Sequence, residues 1–350
     1  MRLLFFEPKL CIKTYKYSLA LNRMGNVIDM AYLNGKFDLN YKLNDKYVNK
    51  YHAVKNSKDL INLFKQQKYS YIICKDINPL TRDLIHDPAI ACRMILLIGD
   101  IHMIRTDNAE RIKLEKEVFK LINPSRVIFS GTFIQKEVNK LMNHRFMKSY
   151  VVPNVPVSIL GGITLLPKLS SLDEHTHLVY CGCLQNDQGH RNFNNVFASI
   201  LQSCPNVVLH VLPTKYKVGV DGLAMKNDPR VVIHDSIPNE KLHSYLTQFD
   251  IGLCLFDMSF QDREYIHISE ANKFYDYLFA GIPQIANDSK SYQYLIKKYN
   301  CGETIHLDQI NHSFCETINR VKQIKIDFDP EKEYLDTYLK NIPLFSITPM

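Results

Sequence analysis

What most restricts the fold of this chain is an alternation that runs along almost all of it: short apolar runs, each followed by a longer stretch with helical spacing. Leu3 to Phe6 opens as a buried strand, Lys13 to Asn22 has helical spacing with Gly25 behind it, and Val27 to Ala31 is the next strand. Leu60 to Phe64 precedes a strand at Tyr71 to Cys74. A strand at Met94 to Ile98 follows, then a charged helix from Asn108 to Leu121. A strand at Arg126 to Phe129, a helix at Phe133 to Met142 and a strand at Tyr150 to Val152 complete this half. The pattern resumes at His177 to Leu184, with a helix at Phe193 to Gln202 and a strand at Val207 to Val211. A strand feeding a helix feeding a strand is the βαβ unit, so the chain reads as α/β with parallel sheets.

The 350 residues suit two domains, and 46% hydrophobic content is enough for two cores. The stretch 155–175, with Gly161-Gly162 and Pro167, reads as a linker. The expected division is a domain over 1–160, a second over 170–328, and a crossing helix or tail over 329–350. Charge is uneven: residues 1–165 hold 26 Lys and Arg against 14 Asp and Glu, net +12, whereas 166–350 hold 17 against 22, net −5. A basic first half suits an anionic partner: a membrane surface, a lipid-linked phosphate or an acidic glycan. No nucleic-acid reading module accompanies the charge, so nucleic acid is not expected. The nine Cys lack paired metal-ligand spacing and sit largely in apolar runs, as reduced thiols do, which points to a reducing, cytoplasmic setting. Nowhere do 18 apolar residues run unbroken, and the apolar start of the chain is too short for a signal peptide, so any membrane contact would be peripheral.

The stretch Ser269 to Ala286 carries the most chemistry. A polar start (Ser269, Glu270, Asn272) leads into a helical run from Lys273 to Ala280, stopped by Gly281 with Pro283 beyond. Lys273, Asp276 and Tyr277 fall at i, i+3 and i+4, so one face presents a cation, a carboxylate and a phenol, with Phe274, Leu278 and Phe279 opposite. A cation beside the unpaired N–H groups and positive dipole end suits a diphosphate. A carboxylate one turn further suits ribose hydroxyls. By spacing alone, the competing reading is an amphipathic surface helix with a glycine cap.

Asn272-Lys-Phe-Tyr-Asp-Tyr-Leu-Phe-Ala-Gly-Ile-Pro283 resembles the "NKxxEYLAAGxPV" segment of GT-B glycosyltransferases, especially the large family 4 (glycosyl transferases group 1). The resemblance implies two facing Rossmann-like domains, with Lys273 on the donor diphosphate and Asp276 in the ribose-binding place usually held by Glu. Asn272, Tyr277 and Gly182 are the other donor-side candidates there. The rest of the chain follows the family's order: 122–138 and Val151-Val-Pro-Asn154-Val155 resemble the end of its first domain. His177-Leu-Val-Tyr-Cys-Gly182 resembles the opening of its second. Ser236-Ile-Pro-Asn-Glu240 resembles its base-contacting segment, which makes Ile237 a candidate. The first acidic residue of the family's pair falls on Ile268, with Glu264 and Glu270 nearby. Departures are specific. The loop Glu7 to Thr14 has no glycine, only Lys9 and Lys13. Cys183 and Gln188 replace the Arg and Lys that neutralise the leaving diphosphate, which leaves Lys273, Arg191 and Arg263 for that work.

Ile98-Gly99-Asp100-Ile101-His102 closes a strand and opens a loop, where α/β sheets place ligand groups. On extended chain Asp100 and His102 share a side, so they are the catalytic candidates, as an acid–base or hydrogen-bonding pair. Residues 257–267 read as a polar loop and Pro330 to Leu344 as a tyrosine-bearing helix. Asp327-Phe-Asp329 resembles a metal-holding triplet but lies in a late connector and is discounted, so no metal is expected. The expected function is transfer of a sugar from a nucleotide-sugar to an anionic or lipid-linked glycan acceptor, with the nucleotide-sugar as substrate and no cofactor. The alternatives are a non-catalytic GT-B subunit that binds a partner or glycan and, less favoured, a sugar-nucleotide epimerase.

Overall fold

The computed structural model describes residues 1–35, 47–106, 108–158, 162–184, 191–213, 219–256 and 263–345. The chain divides into two compact units, Met1–Ser158 with Glu331–Met350, and Ile159–Pro330. Each is organised on one parallel sheet. The first holds β1 (Arg2–Phe6), β2 (Val27–Leu33), β3 (Lys50–Val54), β4 (Tyr71–Lys75), β5 (Met94–Ile98), β6 (Val127–Phe129) and β7 (Tyr150–Val151), in the order β3-β2-β1-β4-β5-β6-β7. The second holds β8 (Thr176–Gly182), β9 (Val207–Pro213), β10 (Val231–Ile233), β11 (Ile251–Cys254), β12 (Gln284–Asn287) and β13 (Gly302–Ile305), in the order β10-β9-β8-β11-β12-β13. Every residue of β5 is buried, as expected of a strand covered by helices on both sheet faces. In both sheets strand addition reverses direction, at β1/β4 and at β8/β11. Ligands of open α/β sheets bind outside the carboxyl ends of the strands at such points.

Three expectations fail locally. Residues 263–267 are not loop: Arg263–Ile268 is a helix, while 257–262 lie outside the described residues. Pro330 to Leu344 is not one helix but Pro330–Glu333, Leu335–Lys340 and a 3-10 turn at Pro343–Phe345, because Tyr334 is extended (ψ 150°). That segment is tied into the first unit by Leu335 N–H on the Pro156 carbonyl (2.9 Å) and Ser158 N–H on Asp336 (3.1 Å). Nor are all the cysteines thiols. Cys204 and Cys315, 111 residues apart, form a disulfide that joins the helices Asn194–Ser203 and Ile310–Val321.

The helix Asn272–Phe279 is buried on all sides from Lys273 to Phe279, so it is a core helix and not an amphipathic surface one. Gly281 ends it in the left-handed conformation (φ +68°), with Ile282 N–H on the Tyr277 carbonyl and Gly281 N–H on that of Leu278. Tyr277, expected beside the donor, has its hydroxyl on the sheet backbone. β8 and β11 are registered at Ile251↔Leu178 and Gly252↔Val179. Past those pairs the Tyr277 hydroxyl fills the place of ladder bonds. It accepts from Cys181 N–H (2.9 Å) and lies 3.1 Å and 3.3 Å from the carbonyls of Val179 and Leu253. Its ring covers Gly252 so closely that a Cβ there would stand 2.4 Å from it. Tyr277→Phe keeps the ring and strands those backbone groups, so it should lower stability by about 1–3 kcal/mol in urea unfolding. Nucleotide affinity should stay unchanged, as a donor-contacting phenol would not allow.

Three histidines cross the second sheet in line. Asp173 meets His177 Nε2 (2.9 Å), and His177 Nδ1 meets His210 Nε2 (2.7 Å). His210 Nδ1 meets His234 Nε2 (2.8 Å), and His234 Nδ1 meets the Tyr245 hydroxyl (2.8 Å). With neutral rings only one direction satisfies every link: Tyr245 donates to His234, each ring donates to the next, and His177 donates to the carboxylate. Burial, with His234 and His177 alongside, pushes the His210 pKa down to about 3, and burial lowers His234 too, against the pull of Asp235. Asp250 receives His177 N–H, and His175 and Lys168 flank that end. Unfolded imidazoles titrate near their usual value of about 6.5, whereas burial holds His210 and His234 below it in the folded protein. Their stabilisation is therefore complete above that pH and is lost as pH falls below it. Urea unfolding should show a loss of stability between pH 7.5 and pH 5, of which His210→Gln removes the part due to His210, about 2 kcal/mol, and leaves the part due to His234.

Candidate active site

Lys273 occupies the second position of its helix, and the fold delivers it to the β8/β11 switch point. Its ammonium stands 3.8 Å from the ring centroid of Tyr180, on β8, and 4.8 Å from that of Phe256, just past β11. Only 8% of the residue is exposed, and Nζ has no hydrogen-bond acceptor among the described residues. Burial pulls its pKa down to about 8; the Cys254 thiol opposes that, and the Arg191 guanidinium adds to it. A buried ammonium without an acceptor costs free energy that the faces of two aromatic rings recover only in part. It is the group here most in need of an anion.

Gly182 lies against it. The glycine closes β8 at φ +140°, and a Cβ there would stand 3.7 Å from Lys273 Cε and Nζ. A residue without a side chain therefore leaves the ammonium approachable from the strand end. Arg191, one of the cations expected to stand in for the missing pair, is close enough to depress Lys273. Arg263 opens its helix, but its side chain lies outside the described residues, as do Gln188 and Gly189. Cys183 gives its carbonyl to the Tyr180 hydroxyl (2.7 Å), which fixes the ring under Lys273.

Asp276 is 8% exposed, and its Oδ1 stands 3.3 Å from His243 Nε2 on the helix Asn239–Leu246. Half-buried Ile237 lies immediately before that helix, so one element links the expected base and ribose candidates. Asn272 is exposed at the helix start. Ile268 is buried, Glu264 faces solvent, and Glu270 is buried and accepts from the Tyr275 hydroxyl. Half-buried Cys181 has its thiol pushed up to about 12, by loss of solvation and then by Asp276.

The first unit builds its own charged cluster at β1/β4. Lys75, closing β4, pairs with Glu7 (3.1 Å) and Asp76 (2.6 Å). Burial opposes its charge, but Asp76 and Glu7 lift its pKa well above normal. Asp76 takes the left-handed conformation (φ +54°), which turns its Oδ1 to the Gly99 N–H (2.8 Å). Lys13 Nζ stands 3.6 Å from where a Gly99 Cβ would lie, and burial lowers its pKa to about 8. Lys9, its expected companion, faces solvent. Asp100 is half-exposed and pairs with Arg105 (3.1 Å). His102 is not on extended chain: it starts a turn of helix, His102–Arg105, so alternation no longer sets which side it shares with Asp100. Glu115 anchors that turn by accepting the N–H groups of His102 (2.7 Å) and Met103 (2.8 Å), and its burial pushes its pKa up to about 7. Burial, then Arg111, lowers His102. Glu7, Lys75, Asp76 and Glu115 were missed in the sequence. The first three carried a signal, charged residues directly after buried strands, whereas Glu115 looks like any acid on a charged helix.

No family model and no curated protein matches the sequence. Among solved structures the chain is similar to a sucrose-phosphate synthase from Thermosynechococcus elongatus (TM-score 0.66, 13% identity, 98% of this chain and 94% of that one). It is also similar to the UDP complex of MnaA from S. aureus (0.58, 8%, 96% and 90%). A protein provisionally assigned as a UDP-N-acetylglucosamine 2-epimerase from Listeria monocytogenes matches to a similar degree (0.58, 8%, 95% and 93%). At these identities the likeness speaks for architecture: the chain has the GT-B fold of two Rossmann-like domains.

Proposed function

We propose that the protein is a glycosyltransferase that moves a sugar from a nucleoside-diphosphate sugar to a glycan or lipid-linked acceptor. The observation that carries this reading is the buried Lys273 ammonium, without an acceptor among the described residues, at the start of a helix and at the β8/β11 switch point. Breaking the sugar–phosphate bond places negative charge on the departing diphosphate, and a fixed cation in a water-poor setting stabilises that charge where it develops. The first helix N–H groups, at 272 and 273, add to it, Gly182 lets the phosphates approach, and Arg191 supplies the second charge that Cys183 and Gln188 do not. Asp276, oriented by His243, is assigned to the ribose and the segment at Ile237 to the base. Asp100 and His102 are assigned to sugar and acceptor in the first unit, with Lys13 suited to an acceptor phosphate. That acceptor is anionic, in keeping with the basic first half, and peripheral membrane contact would bring a lipid-linked one within reach.

The similar structures support a nucleotide-sugar ligand, since one contains UDP and one is assigned to a UDP-sugar epimerisation. The latter keeps the epimerase reading open, and a donor assay that separates transfer from epimerised product tells the two apart. Calorimetry with uridine and guanosine diphosphates should show binding of one that weakens as pH rises through 8, because only protonated Lys273 pairs with the diphosphate. Lys273→Ala should weaken it by about tenfold to a hundredfold and abolish donor turnover. No affinity for either diphosphate would favour an inert subunit, and unchanged donor kinetics in the variant would remove Lys273 from the site.

A further inference from the structure

We infer that the adjoining C-terminal ends of the helices Ala109–Leu121 and Thr132–Leu141 form a docking face for an anionic lipid bilayer. Leu121, Leu141 and Met147 stand exposed there at 49%, 43% and 74%. Beside them a cavity of about 320 Å³ is lined by Lys116, Lys120, Leu141, Met142, Asn143 and Arg145. Lys140 and Lys148 are exposed on the same segment. From Val118 to Leu172 the sequence has a single acidic residue, Glu137, and that one faces Lys140 at 3.6 Å. Cations at helix C-termini ordinarily complement the dipole, and Arg145 does so, donating to the carbonyls of Phe119 (2.9 Å) and Ile122 (2.7 Å). That accounts for the charges but not for three large apolar side chains held out in water next to them.

The segment is fixed in place. Asn143 and His144 are both left-handed (φ +52° and +61°), and Asn139 accepts the Phe146 N–H (2.6 Å). The Phe146 ring is buried edge-on against Phe119 and Phe129, at 5.1 Å and 5.8 Å between centroids, which turns the next residue, Met147, outward. Apolar tips ringed by lysine and arginine are the pattern that enters the headgroup boundary: the tips bury below the phosphates while the cations pair with them. Charge complementarity therefore selects an anionic membrane over a neutral one.

Co-sedimentation of the full chain with vesicles of phosphatidylcholine, with and without about one quarter phosphatidylglycerol, tests this. Binding is expected to the anionic vesicles only, weakening steeply as salt is raised. Lys116→Gln/Lys120→Gln should lose on the order of thirtyfold and Leu141→Ser/Met147→Ser about tenfold, with unchanged thermal midpoints. On the unaltered protein, anionic vesicles should slow hydrogen exchange at residues 138–148. Equal binding to neutral vesicles, no binding at all, variants that bind like the parent, or protection elsewhere would each overturn the assignment, and no binding would leave the face to a protein partner. None of these readouts depends on sugar transfer, so failure here and failure of the proposed reaction are distinguishable.

Discussion

A lysine ammonium enclosed between two aromatic rings, with no acceptor among the described residues, is the constraint that dominates the second unit's switch point. Such a group costs free energy, which here is met in part by the aromatic faces and by a lowered pKa. The structure prepares that spot with backbone chemistry. β8 and β11 part beyond two paired positions, and the Tyr277 hydroxyl bridges the gap so that no strand group is stranded. The parted edges then leave Gly182 beside the ammonium.

The first unit solves the same geometric problem differently. Its switch point is also charged, but Lys75, Glu7 and Asp76 neutralise each other, and Lys13, at the margin of that cluster, carries a weakened proton affinity. One unit thus holds a cation without an acceptor among the described residues, and the other a nearly balanced network. This asymmetry fits a division in which the second unit grips a diphosphate and the first positions a partner molecule.

Much of the architecture was legible because parallel strands covered on both faces leave unbroken apolar runs, and Met94 to Ile98 could hardly be anything else. The short edge strand Lys50–Val54 was not legible, since its burial is mixed and its sequence polar. Lys273 and Gly182 were found through motif order and do meet. For Tyr277, i, i+4 spacing says that it shares a helix face with Lys273 but not that its hydroxyl meets the sheet backbone. Tyr180 and Phe256, the rings that hold the ammonium, look like ordinary core residues in sequence. The histidine line depends on the registers of β8, β9 and β10, and the Cys204–Cys315 bond on helices 111 residues apart; no local pattern encodes either.

The account turns on the protonation of a single side chain, which can be followed directly. In protein carrying 13C-labelled lysine, the Lys273 Cε resonance, identified by its loss in Lys273→Arg, reports that group's titration. The account predicts an inflection near pH 8 in the free protein that moves upward when uridine or guanosine diphosphate saturates the site. An inflection at the ordinary lysine value of about 10.4, or one that neither nucleotide moves, would contradict it.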